Sequence, residues 1–341
     1  MRQQTDRGKD SKPRRITAEQ VAKAAGVSRS AVSRAFTPGA YVDKAKRERI
    51  LFVAQELGYR PNALAAGLQS NGRSNLVAIV TGDLVNHFDS EILARLMQGL
   101  NAMGKWPVVL GGSDDISEAD VLGVLGYPLD ALILRGGSVG ESVATHCAKL
   151  NIPVIVSGRN MQTEGVDSVC CDNERGAEIA VQQLLGRGCR QLGYIGGLTY
   201  LSSDQERRAG FEAAMATAGM APVAMLQSDY SFEGGYAAVK NLLSQTTEID
   251  GLFCANDAMA LGAMSAAQKE FGLKVPNDLA IIGFDDIAMA AWPSFNLSTI
   301  RNDMDRTVSH ILRLLGERLD APDKASETIR IEPQFIARGT H

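Results

Sequence analysis

Apolar positions between residues 16 and 60 recur at helical spacing in three short runs. Val21, Ala22 and Ala25 form the stripe of a first helix opening at Ala18, with Thr17 and Gln20 spaced as a capping box. Gly26 permits a tight turn. Ser28 stands where it can cap a second helix, Arg29 to about Phe36. Val27, Val32 and Phe36 face inward there, leaving Arg29, Ser30, Ser33 and Arg34 outside. Asp43 stands before a third helix, whose Ile50, Val53 and Leu57 are expected to close a small core before Gly58 ends it. Next comes Tyr59-Arg60-Pro61-Asn62-Ala63-Leu64-Ala65-Ala66-Gly67-Leu68, in which Pro61 holds Arg60 extended and Asn62 can cap a short helix ending near Gln69. A helix of about one to two turns is marginal alone in water, so it forms only where something offsets its ordering entropy.

From Leu76 onward the pattern changes. Short apolar runs of β character, at 76–80, 131–134, 154–157, 192–195, 251–254 and 279–284, alternate with helical stretches such as Arg207–Ala218 and Ala258–Phe271. Continuous apolar strands between helices predict parallel sheets covered on both faces, which bind ligands outside the strand C-termini.

Charge sharpens the division. Residues 1–60 hold 14 Lys/Arg against 6 Asp/Glu, a net of +8, and the rest hold 21 against 33, a net of −12. A basic head on an acidic body implies that only the head meets a polyanion. The outer face of the second helix suits a major groove, where Arg and Ser bond base edges and phosphates. Residues 1–15 read as a disordered basic tail without the apolar core of a secretory signal. No apolar run approaches a membrane span, so a cytoplasmic, nucleoid-associated protein with no membrane partner is expected.

Enzyme signatures are missing. There is no GxGxxG, no HExxH and no plausible triad, and no cofactor, metal or catalytic residue is expected. Gly99 to Lys105 begins like a phosphate loop, but Trp106 replaces its Ser/Thr, and Gly104 sits where a helix should end. Cys147, Cys170, Cys171, Cys189 and Cys254 contain no CxxC and read as reduced packing residues.

VAKAAGVSRSAVSRAF followed by ELGYRPNALAAGL closely resembles the head of LacI/GalR bacterial transcription regulators, and the resemblance runs through nearly the whole chain. It implies an α/β protein with an N-terminal all-α helix-turn-helix head (16–60), a hinge helix and linker (61–74), and a periplasmic-binding-protein-like core (75–341). That core would comprise two Rossmann-like subdomains, with crossovers near 172 and 297. In the head it implies base reading by Arg29, Ser30 and Arg34, and phosphate contacts by Ser28 and Ser33, with Thr17, Asn62 and Ala65 also at the DNA. Leu68 would wedge into a base step and kink the duplex, the alternative being a packing leucine.

In the body the matching segments are NHFDSE (86–91), VCCDN (169–173), GYIGG (193–197), ERRAGF (206–211), CANDAMALG (254–262) and IIGFDD (281–286). They imply an effector cleft with His87, Phe88, Asp89, Arg135, Arg159, Arg207, Tyr230, Asn256 and Asp285. Asn256 has the alternative of capping the following helix, and Asp285 of being a turn residue. Gly158 stands where the family often has a carboxylate, and Arg135 where it usually has a small or neutral residue. A cleft one negative charge poorer and one positive charge richer points to an anionic effector, such as a sugar acid or sugar phosphate, over a plain sugar. The alternative is that Arg135 pairs internally with Asp89 or Asp285. The expected function is a ligand-responsive regulator, repression being the favoured sign, that binds a pseudo-palindromic operator in double-stranded DNA as a homodimer. The chain ends without further apolar heptads, which favours a dimer over a tetramer. A transport solute-binding protein explains the body but not residues 16–73, and a sugar-handling enzyme lacks a catalytic cluster.

Overall fold

A computed structural model of the chain describes residues 15–37, 39–62, 72–111, 117–135, 141–245 and 248–341. It divides into two compact units, residues 1–74 and 75–341.

In the first unit three helices surround one small core: α1 (Ala18–Ala25), α2 (Arg29–Phe36) and α3 (Lys44–Glu56). The capping box forms as its residue types dictate. Thr17 donates its backbone N–H to Gln20 Oε1 at 2.8 Å, and the Gln20 N–H returns to Thr17 Oγ1 at 3.4 Å. Gly26, at φ +63°, turns the chain toward α2, which the Ser28 hydroxyl caps. Val21, Ala22, Ala25, Val32, Ala35, Ile50 and Ala54 are buried together, with Val27, Phe36, Val53 and Tyr59 packed on them. Leu57 departs from expectation. It lies just past the end of α3 and is 38% exposed, and Ala54 takes the inward position.

The second unit contains two sheets. One is all parallel, built from β1 (Leu76–Thr81), β2 (Trp106–Gly111), β3 (Ala131–Arg135), β4 (Val154–Ser157), β5 (Val166–Cys171) and β11 (Thr328–Ile331), in the order β11-β5-β4-β3-β1-β2. The other holds β6 (Leu192–Gly196), β7 (Ala224–Gln227), β8 (Gly251–Cys254), β9 (Ala280–Asp285), β10 (Ser298–Arg301) and β12 (Gln334–Ile336), in the order β12-β10-β9-β8-β6-β7. Among the described residues only β12 runs antiparallel to its neighbour. Around the first sheet lie α4 (His87–Ala102), α5 (Glu118–Val124), α6 (Glu141–Lys149) and α11 (Met304–Asp320). Around the second lie α7 (Asn173–Arg187), α8 (Ser202–Thr217), α9 (Phe232–Gln245) and α10 (Asp257–Phe271).

The sequence suggests two passages between the sheets, near 172 and 297. The chain makes three. It leaves the first sheet at Asp172, returns at Asn302–Asp303 after β10 has still paired with β9, and crosses again at Glu332–Pro333 to add β12. The third escapes sequence reading because β11 and β12 are edge strands of four and three residues, too short to set a pattern.

One buried ion pair secures the return. Arg318 of α11 donates Nε and Nη2 to both carboxylate oxygens of Asp167 on β5, at 3.1 and 2.8 Å. Neither side chain is more than 2% exposed. Gly104, at φ +71°, follows α4 as its terminator, and Lys105 is engaged by Asp130 at 2.9 Å. The five cysteines are free and buried.

Candidate functional site

Each unit carries one candidate surface. In the head, α2 buries Val32 and Ala35 and leaves Arg29, Ser30, Ser33 and Arg34 exposed along one side. Ser28 both caps the helix, accepting from Ala31 N at 3.2 Å, and meets Ser30 Oγ at 2.9 Å. Arg34 Nη2 reaches Ser30 Oγ at 3.5 Å. The four side chains thus form one polar, cationic row on a rigid helix. Thr17 is taken up by its capping box. Asn62 closes the described part of the head; Ala65 and Leu68 of the expected hinge, and residues 1–14 of the expected tail, lie outside the described residues.

In the second unit the C-terminal ends of the strands open into a cleft, as parallel sheets dictate. The chain brings Arg135, from the end of β3, beside Ser157, from the end of β4, because these two are register partners. Arg135 Nη1 donates to Ser157 Oγ at 2.9 Å, and Nη2 donates to Asp89 Oδ1 at 2.6 Å. Its ring neighbour is Phe88, 6.0 Å away. Phe88 and Asp89 are there because Asn86 caps α4 and turns its first residues to the cleft. Of the two possibilities for Arg135, internal pairing with Asp89 is realised. Its Nε remains buried without a partner among the described residues.

On the opposite wall Arg207 of α8 is buried over the face of Phe284, 3.7 Å from the ring centroid. It donates Nε to Asn173 Oδ1 at 2.9 Å, Nη1 to the Ala255 carbonyl, and Nη2 to Asp285 Oδ1 at 3.3 Å. Burial pushes the Asp285 carboxyl up to about 6, with the Arg207 charge opposing the rise. Asp285 holds φ +108°, a backbone state that costs energy for a non-glycine residue and here aims its carboxylate into the cleft. Tyr230, at φ +66°, presents its ring between β7 and α9.

These groups enclose an inner chamber of about 110 Å³, which Phe88, Asp89, Arg135, Arg159, Arg207, Tyr230 and Asp285 all line. Gly158 lies on its wall at φ +94°, a backbone state that favours glycine, and a Cβ built there meets nothing within 4 Å. An outer chamber of about 330 Å³ adjoins it, sharing Asn86, Asp89, Leu201 and Tyr230 and lined by His87. Asn256 is the expected residue that neither chamber includes. Its Oδ1 caps α10 by accepting from Met259 N at 2.9 Å, and its Nδ2 donates to the Tyr230 carbonyl at 2.9 Å. It therefore takes the capping alternative and positions Tyr230. Sequence reading missed Ser157, Asn173 and Asn302 as cleft residues. Small polar residues at strand ends give no signal until the register is known.

Among the described residues no helix is long and apolar enough to cross a membrane. Residues 17–62 match the bacterial regulatory proteins of the lacI family, and residues 181–341 match the periplasmic binding protein-like domain. Catabolite control protein A of Priestia megaterium is 30% identical over 323 residues, spanning 93% of this chain and 96% of that protein. The probable HTH-type transcriptional repressor ExuR of Bacillus subtilis (strain 168) is 27% identical over 329 residues, 95% of this chain and 97% of its own. The crystal structure of the Lac repressor dimer bound to operator and the anti-inducer ONPF has a TM-score of 0.83 at 25% identity, covering 96% of this chain and 99% of that one. A helix-turn-helix head with an exposed cationic row and a two-sheet body with a polar cleft thus coincide with full-length relatives: the chain belongs to the lacI family of bacterial regulatory proteins, as a ligand-responsive DNA-binding transcriptional regulator and not an enzyme.

Proposed function

We propose that the protein is a repressor that binds a pseudo-palindromic operator as a homodimer and changes its DNA affinity when a small effector occupies the cleft. The observation that carries this reading is the presence, on one chain, of the exposed row Arg29, Ser30, Ser33 and Arg34 on a capped helix and of a cleft walled by two guanidinium–carboxylate pairs. Arg29, Ser30 and Arg34 read base edges in the major groove, and Ser28 and Ser33 meet phosphates. Thr17, Asn62 and Ala65 lie along the same duplex, and Leu68 wedges into the central step. Two-fold symmetry of the protein mirrors that of the operator. Relatives called repressors, including ExuR of Bacillus subtilis and the HTH-type transcriptional repressor PurR of Vibrio campbellii, favour repression as the sign.

The effector places an oxygen-rich, acidic head, such as that of a sugar acid, in the inner chamber. Three arginines (135, 159 and 207) face two aspartates (89 and 285) there, which leaves a net positive charge. Effector binding changes the angle between the two walls by as much free energy as its differential affinity for the two states. The test has two arms. Selection of DNA from a random pool should return a two-fold symmetric site, and a thermal-shift screen of sugars, sugar acids and sugar phosphates should find a ligand that alters affinity for it. A pool with no enriched site, or a cleft ligand with no effect on operator binding, would overturn the reading.

A further inference from the structure

Tyr230 lines both chambers of the cleft, and its backbone, ring and hydroxyl are each held. Its φ is +66°, a left-handed backbone state that a bulky residue keeps only where its surroundings enforce it. From the N-cap of α10, Asn256 Nδ2 donates to the Tyr230 carbonyl at 2.9 Å. The ring lies against the backbone of Gly197, the residue after β6. A Cβ built on Gly197 would stand 2.2 Å from Cε2 and Cζ of Tyr230 and 2.5 Å from Cδ2. Three ring carbons so close to one point place it over the face of the ring and not at its edge. Gly197 does not adopt a left-handed φ, so the position needs glycine for room and not for conformation. It is buried and lines neither chamber, which puts it behind the ring as seen from the cleft.

Asp204 ties glycine and ring together. This carboxylate stands on the first turn of α8 and is 1% exposed. Its Oδ1 accepts from the Gly197 N–H at 2.6 Å and from the Tyr230 hydroxyl at 3.4 Å. Burial pushes that hydroxyl up from its ordinary value, so it stays protonated and remains a donor. Three separate segments of the chain thus fix one aromatic ring, and that ring borders the space offered to a ligand.

We propose that Gly197 is a positioning residue for the effector: by admitting the Tyr230 ring against the backbone, it sets the depth of the cleft and so what the cleft can hold. This deepens the reading of the cleft as the effector site and rests on it. A methyl group at 197 would have to gain ordinary contact with the ring, which moves the ring by about 1.2 Å, from 2.2 to at least 3.4 Å. With the backbone of 197 behind it, the ring moves toward the chambers. The inner one measures about 110 Å³, so such an advance of one wall takes a large share of its room.

The test uses the full-length protein. With 3-fluorotyrosine placed at 230, fluorine NMR reports the ring, and Gly197→Ala should move its signal. Calorimetry with gluconate and with glucose should show the binding of either probe weakened about ten-fold by the same substitution, the cost of overpacking a fitted wall. In a Tyr230→Leu background the change at 197 should cause little further loss, because the smaller side chain leaves nothing rigid for the methyl to displace. A general loss of structure would instead weaken binding with or without the ring. An unmoved fluorine signal, undiminished binding in Gly197→Ala, or an equal loss in the Tyr230→Leu background would each overturn the proposal. If neither probe binds the wild type, the carbohydrate reading of the effector falls. The fluorine signal then decides alone for or against the placement of the ring by Gly197, as it does if no probe binds once the ring is gone.

Discussion

Removing the Asp167 carboxylate tests how the second unit holds its returning chain. Asp167 lies on β5 and is fully buried, and it accepts from Arg318 Nε and Nη2, from the Glu327 N–H at 2.9 Å, and from Lys324 Nζ at 3.5 Å. Arg318 also caps carbonyls at Pro322 and Lys324. The carboxylate thus joins α11, the turn after it and the start of β11 to the first sheet. Asp167→Ala leaves a guanidinium buried with no counter-charge, and breaking such a pair costs about 3–5 kcal/mol. The cost comes from the stranded charge, not from a large net value of the pair. Asp167→Leu with Arg318→Met should therefore recover much of the loss, because desolvation is then no longer required. Urea unfolding followed by far-UV circular dichroism measures both, at unchanged m-value if only stability has moved. A single-variant loss below about 1 kcal/mol would place the pair in effective contact with water, and a double variant as unstable as the single would mean that lost packing, and not stranded charge, sets the cost.

Three further outcomes are expected. Arg34→Ala should weaken binding to the preferred operator by about 1–3 kcal/mol if it contacts a base, with less effect on random DNA, and fluorescence anisotropy on both duplexes separates the two. Leu68→Ser should reduce DNA bending, read from the mobility of permuted fragments, with effector affinity nearly intact; equal bending in both proteins would remove the wedge. Asp285 has a folded-state carboxyl near 6 against an ordinary 3.8, so the folded protein holds this proton more tightly. Its contribution is fully present below pH 3.8 and is lost as pH rises through 6, a fall on the order of 2–3 kcal/mol. The stability difference between wild type and Asp285→Asn should change by that amount across the window, and parallel pH profiles would refute it.

What the sequence made legible follows from how local each cause is. The head was readable nearly to the residue, because caps, a glycine turn and a helical stripe all act within a few positions. Only Leu57 was misplaced, since an apolar residue one step past a helix end loses the period that would turn it inward. The central strands β1, β3, β4, β6, β8 and β9 were readable from continuous apolar runs, because both their faces are covered. The strand β5 escaped for the opposite reason. Asp167 and Ser168 interrupt its apolar run, and what makes Asp167 tolerable inside is Arg318, 151 residues away. The edge strand β2 carries Pro107 inside its apolar run, and proline demotes such a run as a strand signal.

The cleft divides along the same line. Residue types suited to ligand chemistry could be singled out, but what each one does is set by partners far along the chain. Arg135 was legible as an unusual cation; that its charge is answered by Asp89, 46 positions away, was not. The Arg135 charge is therefore answered inside the protein, by Asp89 at 2.6 Å and by the Ser157 hydroxyl at 2.9 Å. An anion strong enough to displace Asp89 would have to overcome a buried 2.6 Å ion pair. A ligand that leaves the pair standing needs no such exchange. This favours effectors that add an acceptor to the existing Arg135–Asp89 and Arg207–Asp285 pairs over those that replace a carboxylate.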